Sequence, residues 1–332
     1  MRILLIKTSS MGDVVHNLPV VADLCRAFPG ANIDWVVEEA FAPIPRLHPK
    51  VGRVIPVALR RWRRKPFESS TRKAFAELRQ LLCNVQYDAV LDTQGLLKSA
   101  LLARMANGVR HGLNWRSSRE PLRLFYDRVH EIPWILHAVE RNRLLAAKAL
   151  GFDLAGPPVF GLATSPPNNT TPQLALEQKN IAGPYAVFLH ATSAARKEWP
   201  ESHWVTLGKQ LKSRGVSCVL PFGTSFEQAR SQRLATQIPG SCVPRALGLD
   251  ALSSMLSRAK FVVGVDTGLS HLSAALMMPT VGIYCATDPA ATGLYGSALA
   301  LNIGGIGSTP GVAEALAAIE QVTGALKPRN GD

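Results

Sequence analysis

Several familiar signatures are missing from this chain of 332 residues. No Gly-x-Gly-x-x-Gly follows the first apolar strand and no Gly-x-x-x-x-Gly-Lys-Ser/Thr occurs, so neither a dinucleotide dehydrogenase nor a P-loop enzyme is supported. The five cysteines, Cys25, Cys83, Cys218, Cys242 and Cys285, are odd in number and widely spaced. With no Cys-x-x-Cys among them, a disulfide framework and a zinc site are not expected, and the thiols read as small core residues in a reducing cytoplasm. Apolar runs such as residues 186–189 are strand-sized, far short of the ~20 residues a membrane-spanning helix needs. Residues 1–7 lack a long apolar region and a cleavage site, and read as a buried strand rather than a secretory signal. No helix-turn-helix, RNA-binding aromatic signature or zinc knuckle is present, so nucleic acid is not an expected partner.

What is present is ample apolar content, 47%, and a strong positive balance, +13. The length suits two α/β domains of ~150 residues each. The charge is uneven: residues 1–160 hold 24 Lys and Arg against 14 Asp and Glu, and the remainder 13 against 10. An anionic partner for the first half follows, either a phosphorylated substrate or an anionic membrane surface.

The pattern centres on residues 261–276. An apolar β-branched run stops at Asp266-Thr267-Gly268, and a small-residue helical pattern that includes Ser270 and His271 begins at once. A strand, a tight turn and a helix N-terminus form an anion cradle: the first-turn N–H groups lack partners, and the dipole's positive end favours phosphate. Gly268 permits close approach, and Thr267 and Ser270 offer hydroxyls. An ordinary turn capped by Asp266 or Thr267 is the simpler alternative.

The same strand-then-loop pattern recurs along the chain. Residues 2–7 and 32–39 read as strands, and Thr8 to Asp13 as the turn between the first strand and a helix running from residue 14 or 15 to about 28. Asp13 is either that helix's cap or a general base at the mouth of a cleft, with Glu38 and Glu39 nearby as hydrogen-bonding or solvated groups. Residues 60–65 hold five cations around Trp62, with no acidic partners inside the run. A solvated helix face competes with a phosphate grip or a membrane contact anchored by Trp62. A strand at 87–92 delivers Thr93 to Ala100 as a further turn and helix start. Lys98 lies in that first turn, against the dipole, which points to a ligand. Pro, Gly, Ser and Asn dominate residues 156–169 and mark the domain boundary. The expected division is 1–160, a linker at 161–180, a second domain at 181–310 and a C-terminal helix and tail at 311–332. The second half restarts with strands at 186–191, 216–220 and 280–284.

Ser9-Ser10-Met11-Gly12-Asp13, Arg60-Arg61-Trp62-Arg63, Lys197-Glu198-Trp199-Pro200 and Asp266-Thr267-Gly268-Leu269-Ser270-His271, in that order, resemble the heptosyltransferases of lipopolysaccharide inner-core assembly, glycosyltransferase family 9. The resemblance runs almost end to end. It implies an α/β GT-B fold, two Rossmann-like parallel-sheet domains facing a central cleft. It also implies inverting transfer of L-glycero-D-manno-heptose from ADP-heptose to a Kdo residue of Kdo-lipid A, with no metal or other cofactor. By the same resemblance Asp13 is the base and Lys197 contacts donor phosphate, and Thr192, Ser193, Thr267 and Gly268 hold the diphosphate. Glu227 holds the adenosine ribose, Asp266 the heptose hydroxyls, and Leu247 lies against adenine. Ser10, Gly12 and His271 join the donor set. Arg60, Arg61, Arg63, Arg64, Lys98 and Arg119 match cations for the acceptor's carboxylates and phosphates. The implied place is peripheral, on the cytoplasmic face of the inner membrane. A member using the same donor on a heptose acceptor, and a nucleotide-sugar-binding module without turnover, are the alternatives.

Overall fold

The computed structural model describes residues 1–163 and 183–324, and the chain divides into two units, Met1–Leu162 and Ala163–Asp332. From residue 164 on, the expected linker at 161–180 lies outside the described residues, as does the tail beyond 324.

The first unit is built on six parallel strands: β1 (Arg2–Ile6), β2 (Asn32–Glu38), β3 (Val51–Val57), β4 (Gln86–Asp92), β5 (Asn107–Leu113) and β6 (Arg128–His130). Their order is β3-β2-β1-β4-β5-β6. Central β1 buries Ile3, Leu4, Leu5 and Ile6 completely, as a strand covered on both faces must. β5 and β6 are absent from the expected elements, because Asn-Gly-Val-Arg-His-Gly-Leu lacks the apolar run that marks β1.

The single helix expected from residue 14 or 15 to 28 is instead two, Met11–Val15 and Leu18–Ala27. Pro19, near the start of the second, has no N–H to donate back into the first, so the ladder breaks at His16 and Asn17. Asp13 therefore sits inside the first turn of a short helix. A longer helix, Ala138–Leu150, ends at Gly151, whose left-handed φ of 71° a residue with a side chain would rarely adopt. It is fixed by a buried fork in which Arg143 donates to Asp23 at 2.7 and 3.1 Å. Removing one partner of such a pair costs about 3–5 kcal/mol.

The second unit has five parallel strands, β7 (Tyr185–Leu189), β8 (Ser217–Val219), β9 (Phe261–Val265), β10 (Thr280–Tyr284) and β11 (Ala300–Gly304), in the order β11-β10-β9-β7-β8. Phe188, Trp199 and Trp204 form an aromatic centre, with ring centroids 4.9 and 5.1 Å apart. The helix Val312–Gly324 packs Ala315, Ala318, Ile319 and Val322 into this same core, so it is part of the unit rather than an appendage.

In each sheet the strand order reverses once, between β1 and β4 in the first and between β7 and β9 in the second. Open parallel sheets bind ligands beyond the strand C-termini at such points. Among the described residues, no helix is long and apolar enough to cross a membrane.

Candidate active site

In the first unit, the loop after β1 carries Asp13. The Ser10 backbone N–H and hydroxyl both donate to Asp13 Oδ2, at 2.8 and 2.9 Å. Capping thus uses one oxygen, and Oδ1 has no hydrogen bond among the described residues. The loop after β4 holds this arrangement in place. Asp92, fully buried, accepts from the N–H groups of Gln94 and Gly95 at 2.9 and 3.2 Å and from the Tyr126 hydroxyl at 2.7 Å. Burial pushes the Asp92 carboxyl up, against those hydrogen bonds. Gly95 turns the chain at a φ of 66°, where an added Cβ would meet the Leu113 side chain at 3.0 Å. The turn aims Gln94 at the first loop, and its Oε1 accepts from Thr8 N and Ser9 N, each at 3.0 Å.

Cations surround Asp13. A pocket of about 280 Å³ is lined by Asp13, Arg119, Lys7, Arg141 and Asn142, among others. Lys7 donates to the Thr93 carbonyl at 2.7 Å and to Asn142 Oδ1 at 3.3 Å, both neutral oxygens. Burial lowers its pKa, while Asp13 and Asp92 act the other way. Arg141 lies 3.7 Å from the Trp134 ring centroid and donates to the Ser117 carbonyl at 2.8 Å, but its buried Nε has no partner. Burial, then the neighbouring Arg119, lowers its pKa. Neither Lys7 nor Arg141 was singled out by the sequence: one reads as a strand end, the other as a charge on an apolar helix.

The basic run forms a helix, Leu59–Arg64. Its arginines divide unevenly: Arg60 and Arg63 line a cavity of about 990 Å³ together with Ser9 and Lys98, while Arg60, Arg61 and Arg64 line another of about 480 Å³. Arg61 pairs with Glu39 at 2.9 Å, and buried Glu38 accepts from Arg60 N at 3.2 Å. Trp62 is half-buried, edge-on to Phe75 at 6.3 Å and packed on the core. Lys98 donates to the Ser9 hydroxyl at 2.6 Å. Burial lowers its pKa; Arg60 and Arg63 act with burial, Glu38 and Asp13 against it.

In the second unit, the loops after β7 and β9 meet. Lys197 donates to Asp266 Oδ2 at 2.7 Å, Thr287 donates to the same oxygen at 2.8 Å, and His271 Nε2 lies 3.6 Å from Oδ1. Thr192 donates to the Asp266 carbonyl at 2.9 Å. Burial pushes the Asp266 carboxyl up, but bonds from His271, Lys197 and Thr287 outweigh it and hold it well below the usual carboxylate range. Thr267 occupies the N-cap of the helix Gly268–Ala275 without a side-chain capping bond, which leaves its hydroxyl and the amides of Gly268 and Leu269 for an anion, while Ser270 N and His271 N donate to the Thr267 carbonyl. Ser270 is not available: buried, it donates to the Val265 carbonyl at 2.8 Å. That corrects its expected role as a ligand donor. Ser193 is exposed on the loop after β7. Glu227, in the first turn of the helix Ser225–Gln237, accepts from Gly223 N at 2.7 Å, and Leu247 is half-buried just before the helix Leu249–Leu256. Among the described residues, no group of three or more His, Cys, Asp or Glu side chains is placed to hold a metal ion.

The family model of glycosyltransferase family 9 (heptosyltransferase) matches residues 75–314. The chain is 46% identical over 302 residues to lipopolysaccharide heptosyltransferase 1 of Salmonella typhimurium, covering 89% of this chain and 92% of that one. The solved E. coli heptosyltransferase WaaC with ADP superposes with a TM-score of 0.86 at 43% identity, covering 97% of this chain and 100% of that one. The same enzyme with ADP-2-deoxy-2-fluoro heptose gives 0.80 at 42%, covering 98% and 99%. Similarity over nearly the whole of both chains, together with two Rossmann-like sheets whose switch points carry the expected loops, establishes that this chain belongs to the heptosyltransferases of glycosyltransferase family 9.

Proposed function

We propose that the chain transfers L-glycero-D-manno-heptose from ADP-heptose to a Kdo residue of Kdo-lipid A, with inversion at the anomeric carbon. The observation that carries the acceptor half is Asp13: Ser10 holds one carboxylate oxygen, and the other has no hydrogen bond among the described residues and lies in a pocket with Lys7, Arg119 and Arg141. An ionised carboxylate so placed takes the proton of an acceptor hydroxyl as it attacks, while the cations attract the acidic sugar that bears it. Arg60, Arg63 and Lys98 extend the same attraction.

The donor half rests on the second unit. As ADP leaves, charge develops on its β-phosphate, and Lys197, the Thr267 hydroxyl and the amides opening the helix Gly268–Ala275 stabilise it. Asp266 orients Lys197 and accepts from sugar hydroxyls, Glu227 takes the ribose, and Leu247 lies against the adenine. The solved relative holding an ADP-heptose analogue supports this choice of donor. A nucleotide donor and a lipid-borne acceptor place the reaction at the cytoplasmic face of the inner membrane, where the basic first unit meets anionic headgroups.

The test is ADP release with both substrates and with each omitted in turn. Release that requires Kdo-lipid A supports the reading; release only with an acceptor already carrying heptose overturns the choice of acceptor.

A further inference from the structure

The cavity of about 990 Å³ in the first unit is at the upper end of the range for small-molecule sites, more than one sugar ring needs. Its long wall is one face of the helix Ser69–Cys83: Thr71, Phe75, Arg79 and Cys83 recur at four-residue spacing along it. At 1.5 Å per residue that face runs ~18 Å, so the cavity is a channel. Leu59, Trp62, Pro66, Phe75 and Ala76 make much of the lining apolar. Cations edge it: Arg60, Arg63, Arg72 and Arg79 line the same space, and none forms an ion pair among the described residues. Ser9 lines both this channel and the pocket of Asp13, so the two are neighbours at that residue.

An elongated, largely apolar channel next to the Asp13 pocket, edged by arginines that form no ion pair among the described residues, suits an amphiphile with anionic groups near its apolar part. We propose that the channel seats the lipid end of the acceptor, one acyl chain lying along Phe75, Ala76 and Trp62 with a phosphate at Arg72 and Arg79. The enzyme then reads the acceptor at both ends, the acidic sugar beside Asp13 and the acyl chain along the helix. This rests on the acceptor proposed above. Charge complementarity favours this occupant over a neutral lipid, and adjacency to the Asp13 pocket across Ser9 favours a chain tethered to the reacting sugar over a separate molecule.

Phe75 and Ala76 are exposed, and because the Phe75 ring meets core-packed Trp62, Ala76→Trp is the variant that leaves that contact in place. Phe75→Glu places a charge on the wall, and Ala76→Trp fills the channel. Both are assayed with acylated Kdo-lipid A and with its fully deacylated counterpart, alongside binding to acceptor-free anionic phospholipid vesicles. The expected result is a KM for the acylated acceptor raised about tenfold, the size of losing a buried apolar contact, with the deacylated KM within about twofold and vesicle binding unchanged. Equal effects on both acceptors, or none on either, overturn the proposal. Loss of vesicle binding in step with the KM also overturns it, because the wall would then meet the bilayer. If the wild-type protein turns over neither acceptor, it is the transfer reading that fails, and that outcome is separate from a failure of chain selectivity.

Discussion

Lys197 and Asp266 lie 2.7 Å apart and join the loop after β7 to the loop after β9 at the point where the strand order of the second sheet reverses. The pair holds the lysine where a phosphate at the N-terminus of the helix Gly268–Ala275 would meet it. Lys197→Ala should therefore lower kcat by about 10²–10³, the loss typical of one donor to a developing oxyanion. Acceptor-dependent ADP release measures it.

Asp266 also gives a pH signature. Its folded-state pKa is depressed, so the stability it contributes is present above its ordinary value of 3.8 and is lost only as pH falls below that. Asp266→Asn should lower the Tm by roughly 2–4 °C, by the same amount at pH 6 and pH 8, with the deficit narrowing only below about pH 4. Thermal unfolding across that range is the check; a deficit that changes between pH 6 and 8 would contradict it.

Asp13 has two roles on two oxygens, and two variants separate them. Asp13→Asn keeps an oxygen to accept from Ser10, whereas Asp13→Ala does not. Both should cut turnover at least ~100-fold if the carboxylate is the base. Only the alanine variant should also lose about 1 kcal/mol of stability, the worth of a helix cap. Turnover retained in Asp13→Asn would leave the residue as a cap alone.

Gln94 touches Thr8 and Ser9 through their backbone N–H groups, so its effect on catalysis is one of position. Gln94→Leu leaves both groups without their acceptor and frees the loop that carries Asp13. A fall in kcat of about tenfold or more is expected, with little change in the KM for ADP-heptose. Gln94→Glu, which keeps the acceptor oxygen, should recover most of it.

Two pairs of arginines on the helix Leu59–Arg64 should behave differently. Arg60→Ala with Arg63→Ala should raise the acceptor KM by about tenfold or more, because both line the cavity beside Ser9 and Lys98. Arg61→Ala with Arg64→Ala, neither of which lines that cavity and the first of which is paired with Glu39, should change the acceptor KM far less.

β1 and β9 were legible because strands buried on both faces of a parallel sheet must be apolar throughout. β5 and β11 were not: Asn107–Leu113 and Ala300–Gly304 carry glycine and polar residues whose place is decided by neighbouring strands. The break in the first helix was written in Pro19 and overlooked, since the apolar spacing runs through it. The loops around Asp13, Lys197 and Asp266 were readable as motifs because each is contiguous in the chain. Gln94 was not, because its contact with Thr8 spans 86 residues of sequence and exists only once β1 and β4 are paired. Lys7 and Arg141 escaped for the same reason: only the folded pocket reveals cations without carboxylate partners.

Each unit is one unbroken stretch of chain, ending at Leu162 and resuming at Ala163. A single genetic crossover near that point would exchange a whole sheet, with its helices and both loops of its switch point, and leave the other intact. Recombination between related genes at that position would replace the loops of one unit and keep those of the other in one event, and a chimera built there is the simplest engineered counterpart.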